Sequence, residues 1–90
     1  MKLSEMIPCY YDIQITDITD DSPLAGPGTL FVCIEGLTVD GHKYAAKAVE
    51  KGASAILCKH RIEGITVPQI LTDDTDRAFN EVLNSFYGEP

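Results

Sequence analysis

Residues 25 to 42 read A-G-P-G-T-L-F-V-C-I-E-G-L-T-V-D-G-H, and this stretch decides the fold class. Gly26-Pro27-Gly28 is a tight-turn signal, because proline presets φ and glycine takes positions that side chains resist. Residues 29–34 are an apolar, β-branched run, as in a strand covered on both faces. Gly36 breaks the run, and Asp40 stands where a helix N-cap would stand, with Gly41 and His42 opening the helix. A buried strand that ends in a glycine-containing loop and feeds a helix is how α/β folds build ligand edges.

The rest of the chain fits around that unit. A helix is expected over 41–51, with Tyr44, Ala45, Ala48 and Val49 on one face and Lys43, Lys47, Glu50 and Lys51 away from it. Gly52 suits the position after its C-terminus. Residues 53–58 (A-S-A-I-L-C) are a second buried strand, which makes a βαβ unit with an expected parallel pairing and right-handed crossover. A short strand follows over 67–71, with Pro68 at its start or on an edge. Asp73-Asp74-Thr75-Asp76 opens the last helix, whose stripe is Ala78, Phe79, Val82, Leu83, Phe86 and Tyr87, and Gly88 stops it. Upstream, Leu3, Met6 and Ile7 have helical spacing, limited by Pro8. Ile13 and Ile15 suggest a strand within 10–19. Ile18 falls out of phase with Ile15, so that strand is bulged or ends near Asp17. The expected fold is therefore α/β: a mostly parallel sheet flanked by helices, in a single small domain over 1–90.

Composition narrows the chemistry. A net charge of −7 and the lack of a basic cluster speak against nucleic acid, whose binding rests on Lys and Arg neutralising phosphates. Cys9, Cys33 and Cys58 are odd in number and form no Cys-x-x-Cys pair. Cys33 and Cys58 sit in strand patterns and read as small core residues in a reducing compartment. No run is long enough for a signal peptide or a membrane span, so a cytoplasmic protein without a membrane partner is expected.

Few residues offer catalysis. Asp17, Asp20 and Asp21 cluster near a strand end. Carboxylates there can hold Mg²⁺ or serve turn and cap chemistry, and without an Asp-x-Asp-x-Asp-Gly loop the second reading leads. His42 at a helix start reads equally as a ligand contact or a structural residue, and His60 as a surface residue. No Gly-x-Ser-x-Gly elbow frames Ser22, and neither Gly-x-x-x-x-Gly-Lys-Ser/Thr nor Gly-x-Gly-x-x-Gly occurs. No catalytic residue and no metal ligand are assigned. Ser22 and the loop 36–39 remain as a binding edge, which composition alone also reads as ordinary loop.

The order of motifs carries a resemblance. Asp21-Ser22, Pro27-Gly28-Thr29-Leu30-Phe31-Val32, Gly36, Asp40-Gly41-His42, Ala48-Val49 and Gly52-Ala53 resemble the N-terminal domain of the Mur ligase family. That family's pattern runs Asp-Ser-Arg, Pro-Gly-Asp-Leu-Phe-Val, Gly, Asp-Gly-His, Ala, Gly-Ala. Thr38-Val39-Asp40-Gly41-His42 and Phe86-Tyr87-Gly88-Glu89-Pro90 look most like its tripeptide-synthetase, MurE-like branch. The resemblance implies a parent ligase that uses ATP and Mg²⁺ to join lysine or diaminopimelate to UDP-N-acetylmuramoyl-L-alanyl-D-glutamate. It implies a first domain that docks the UDP-sugar, binds neither ATP nor metal, is inactive alone, and has the rest of its own ligase chain as partner. Carried over by motif, the UDP-sugar contacts are Ser22, Asp20, Leu37, Thr38 and Val39, with His42 as a further candidate; the family often has an apolar or small residue at position 20, so the contact implied for Asp20 is its backbone. Pro23 stands where the family usually has Arg, and proline cannot pair with phosphate. Thr29 replaces the usual Asp, which points to local turn chemistry. The alternatives are a MurF-like ligase that adds D-alanyl-D-alanine, a cyanophycin-synthetase-like domain, and a stand-alone binding module.

Overall fold

The computed structural model describes residues 2–3, 13–34 and 41–88, with the side chains of residues 41 and 42 outside that description. Four short strands, Asp17–Thr19 (β1), Thr29–Val32 (β2), Ala55–Cys58 (β3) and Gln69–Leu71 (β4), form one sheet. Its order is β1-β2-β3-β4 and every pairing between these strands is parallel. Leu30 faces Ala55 and Ile56 faces Gln69 in the registers. One isolated antiparallel bridge joins Lys2 to Gln14, and the Leu3 N–H donates to the Ile13 carbonyl at 2.8 Å. This pins Leu3, fully buried, into the core.

The two central strands explain the layers. Every residue of β2 and β3 is buried, as strands covered on both faces require. Side chains alternate, so each strand feeds two cores. Leu30, Val32, Ala55 and Leu57 join Leu3, Ile15, Ile18 and Ile70 on one face. The helix Thr75–Tyr87 (α2) covers that face through Ala78, Phe79, Val82, Leu83 and Phe86. Phe31, Cys33, Ile56 and Cys58 point the other way. There they meet Ala45 and Ala48 of the helix Ala45–Glu50 (α1), with Val49, Ile62, Ile65 and Val67 at the margin. Alanines let α1 lie close to the sheet, and Phe31 fills the space they leave. Truncating Phe31 to alanine would cost about 3–5 kcal/mol. The expected α/β class, with a mostly parallel sheet between helices, is what the chain adopts.

Local chemistry sets the boundaries. The Thr29 N–H donates to the Gly26 carbonyl at 3.0 Å, closing a turn with Pro27 at its second position and Gly28 at φ 85° at its third. Those are the type II requirements. Asp74 caps α2, its Oδ1 accepting the Arg77 N–H at 3.0 Å, and Gly88 ends it in a left-handed conformation.

Several expectations need correction. The expected 41–51 helix is divided into a 3₁₀ turn, Gly41–Tyr44, and α1. Tyr44 sits at the junction with φ −100° and ψ 0°, which takes its ring off the Ala45/Ala48 stripe and leaves it 42% exposed. Tyr87 is 57% exposed, because α2 has reached its last turn there, and its ring meets only the edge of Phe86 among the described rings. Pairing in β1 begins at Asp17 instead of ending near it. Ile15 and Ile18 share one core face because no regular strand runs between them. The helix expected around Met6 and Ile7, the Asp40 cap and Cys9 lie outside the described residues.

Candidate functional site

The carboxyl end of β1 leads directly into a shaped edge. Thr19 is buried and its Oγ1 accepts the Asp21 N–H at 3.0 Å, which bends the chain out of the sheet. Ser22–Leu24 then forms a 3₁₀ turn with Pro23 in its first positions. The Leu24 N–H donates to the Asp21 carbonyl at 3.0 Å and the Ala25 N–H to the Ser22 carbonyl at 3.1 Å. Only 5% of Ser22 is exposed, and its hydroxyl makes no hydrogen bond among the described residues.

This turn packs against α1, and between them lies a cleft of about 520 Å³. Among the described residues its lining is Asp20, Asp21, Ser22, Pro23, Tyr44 and Lys47. One wall therefore offers a seryl hydroxyl and two carboxylates, and the other an aromatic ring and an ammonium. Such a cleft can hold a ligand that combines a flat apolar part, hydroxyls and an anionic group.

The structure thus brings Asp20 and Ser22 together. Leu37, Thr38 and Val39 lie outside the described residues. His42 belongs to the turn that leads to Tyr44, and its ring lies outside the described side chains. Sequence reasoning missed Tyr44 and Lys47. Spacing held no signal for them, because Tyr44 ends a 3₁₀ turn and what Lys47 faces depends on where the Ser22–Leu24 turn docks.

The other candidates have structural roles. Asp17 Oδ1 accepts the Ile18 N–H at 2.9 Å. Among the described residues, no three His, Cys, Asp or Glu side chains form a group that could hold a metal ion. Cys33 and Cys58 are buried thiols that form no disulfide among the described residues. Burial pushes the Cys58 thiol up to about 11, against a smaller opposing pull from the Arg61 charge, so it stays protonated at neutral pH. His60 is exposed.

The chain matches the model of the Mur ligase family, catalytic domain, over residues 14–87. It is 42% identical to the UDP-N-acetylmuramoyl-L-alanyl-D-glutamate--2,6-diaminopimelate ligase of Listeria monocytogenes serovar 1/2a, over all of this chain and 20% of that protein. The ligase of the same name from Bacillus licheniformis is also 42% identical, again over all of this chain and 20% of that protein. Among solved structures, MurF from Acinetobacter baumannii superposes with a TM-score of 0.70 at 27% identity, over 74% of this chain and 15% of that one. MurF from Thermotoga maritima, solved in complex with ADP, shares the fold with a TM-score of 0.69 at 20% identity, over 84% of this chain and 17% of that one. The chain spans about a fifth of the length of the curated relatives it matches. On the family match and on identity across its whole length, the chain belongs to the Mur ligase family.

Proposed function

We propose that residues 1–90 form the domain that docks the UDP-sugar substrate of an ATP-dependent amide ligase in peptidoglycan precursor synthesis. The substrate is UDP-N-acetylmuramoyl-L-alanyl-D-glutamate and the added group a diamino acid, lysine or diaminopimelate. The observation that carries this reading is the cleft joining Asp20 and Ser22 to Tyr44 and Lys47 at the carboxyl edge of a parallel sheet. Such edges are where open α/β sheets take ligands. Ser22 offers there a hydroxyl with no hydrogen bond among the described residues, and Tyr44 a surface for a planar base; the family resemblance adds Leu37, Thr38 and Val39 as further contacts. The 42% identity to diaminopimelate ligases, against 27% or less to the MurF structures, favours the diamino-acid branch.

ATP and Mg²⁺ serve the parent enzyme, which is cytoplasmic. Activation of the substrate carboxyl belongs to other parts of that chain, since these residues contain no phosphate loop of the Gly-Lys-Ser/Thr kind. No described helix is long and apolar enough to cross a membrane.

The test is titration of the UDP-muramoyl dipeptide into the 90-residue chain, followed by amide NMR. Shifts are expected at residues 20–22 and 37–39, with tighter binding by Pro23→Arg and no ATPase or ligase turnover. Shifts confined to other residues, or none, would sink the docking reading.

A further inference from the structure

We propose that Lys47 receives the phosphate groups of a nucleoside diphosphate in the Ser22 cleft, which makes it a positioning residue of this site. The inference rests on the docking reading and assigns the anionic half of the ligand to one side chain.

Of the six described residues that line the cleft, Lys47 alone carries positive charge. Asp20 and Asp21 line the same space, yet Lys47 forms no ion pair among the described residues. None of the described acids therefore claims its ammonium. Pro23, on the wall formed by the 3₁₀ turn, brings neither charge nor an N–H donor. A phosphate entering this cleft has one cationic partner among these residues, and it comes from α1.

The placement suits the task. Ala45 and Ala48, on either side of Lys47 along α1, are fully buried against Phe31 and Ile56. The backbone of Lys47 is thus held by the core while its stem stays exposed and free to reach. Lys43 and Lys51 are exposed on the same segment but do not line the cleft.

The two carboxylates then set polarity. They repel phosphate and accept hydrogen bonds from hydroxyls. A nucleoside diphosphate lies with its phosphates toward Lys47, its sugar hydroxyls toward Asp20 and Asp21, and its base against Tyr44.

The experiment titrates uridine and UDP separately into the 90-residue chain and into Lys47→Gln and Lys47→Arg, reading the amides of Ser22 and Tyr44 by NMR. Lys47→Gln should weaken UDP by about fivefold, in keeping with a partly exposed charge-assisted contact, and leave uridine unchanged. Lys47→Arg should restore UDP binding. Equal UDP affinity in Lys47→Gln and the parent chain overturns the assignment while the docking reading stands. Equal loss of uridine and UDP also overturns it, as a merely structural effect. Absence of any UDP response in the parent chain overturns the docking reading itself, and this inference with it.

Discussion

Gly26 and Thr29 exchange two hydrogen bonds. The Thr29 N–H donates to the Gly26 carbonyl and the Gly26 N–H donates to the Thr29 Oγ1, each at 3.0 Å. The turn before β2 is therefore closed by backbone and side chain together, and Thr29 is buried in doing so. Thr29→Val keeps the shape and removes the acceptor, leaving the Gly26 N–H unpaired. We expect a loss of about 1–2 kcal/mol in urea unfolding, with an unchanged m-value. Thr29→Ser should retain most of that stability.

Gly28 is fixed by geometry on two counts. Its φ is 85°, and a Cβ there would collide with the Thr16 hydroxyl. Its N–H also donates to Ser54 Oγ at 2.9 Å, tying the turn to the approach of β3. Gly28→Ala should destabilise the fold by about 2 kcal/mol or more. Adding Thr16→Ala should recover the part due to collision and leave the part due to φ. Full recovery would show that the backbone conformation costs nothing.

Cys58 gives a pH dependence with a definite sign. Its thiol is raised from 9.0 to about 11 in the folded chain, chiefly by burial. Between those values the unfolded chain releases a proton that the folded chain keeps. The contribution of Cys58 is thus fully present below pH 9 and is lost as pH rises toward 11. Thermal melts across this range should fall less steeply for Cys58→Ala than for the parent chain. Equal slopes would remove Cys58 as a cause.

Gln69 holds the connection between β3 and β4 with both ends of its amide. Its Oε1 accepts the Ile62 N–H at 2.8 Å, and its Nε2 donates to the Ile62 carbonyl at 2.9 Å. Gln69→Leu should speed hydrogen exchange at the Ile62 amide and cost about 1–2 kcal/mol. Exchange at Leu30 and Ile56, in the central strands, should change only by the global loss of stability.

The sequence was easiest to read where one residue type has one use. The buried runs in β2 and β3, Asp74 at the start of α2 and Gly88 at its end follow from period, capping and φ. Thr29 was also readable as turn chemistry, and its hydroxyl bears this out. Tyr44 was not legible, because a 3.6-residue period assumes an α-helix that at this point is a 3₁₀ turn. The same local change turns Tyr44 into a wall of the cleft. Lys47 lies off the buried face, as the helical period predicts. What it faces instead depends on where the Ser22–Leu24 turn docks, a tertiary fact that spacing along α1 does not contain. Asp20 and Ser22 came from motif order, and geometry adds that they share a cavity.

Strand order has a consequence for biosynthesis. Because β1, β2, β3 and β4 pair in the sequence in which they leave the ribosome, each strand finds its partner already made. The covering layers do not arrive so evenly. Helix α1 emerges before β3, whereas α2 comes last of the described elements. The face carrying Leu30, Val32, Ala55 and Leu57 therefore waits for α2 until synthesis passes residue 87. A chain cut after Leu71 should bind a hydrophobic dye that the 90-residue chain ignores. In the cell, that interval is when a nascent-chain chaperone would have something to hold.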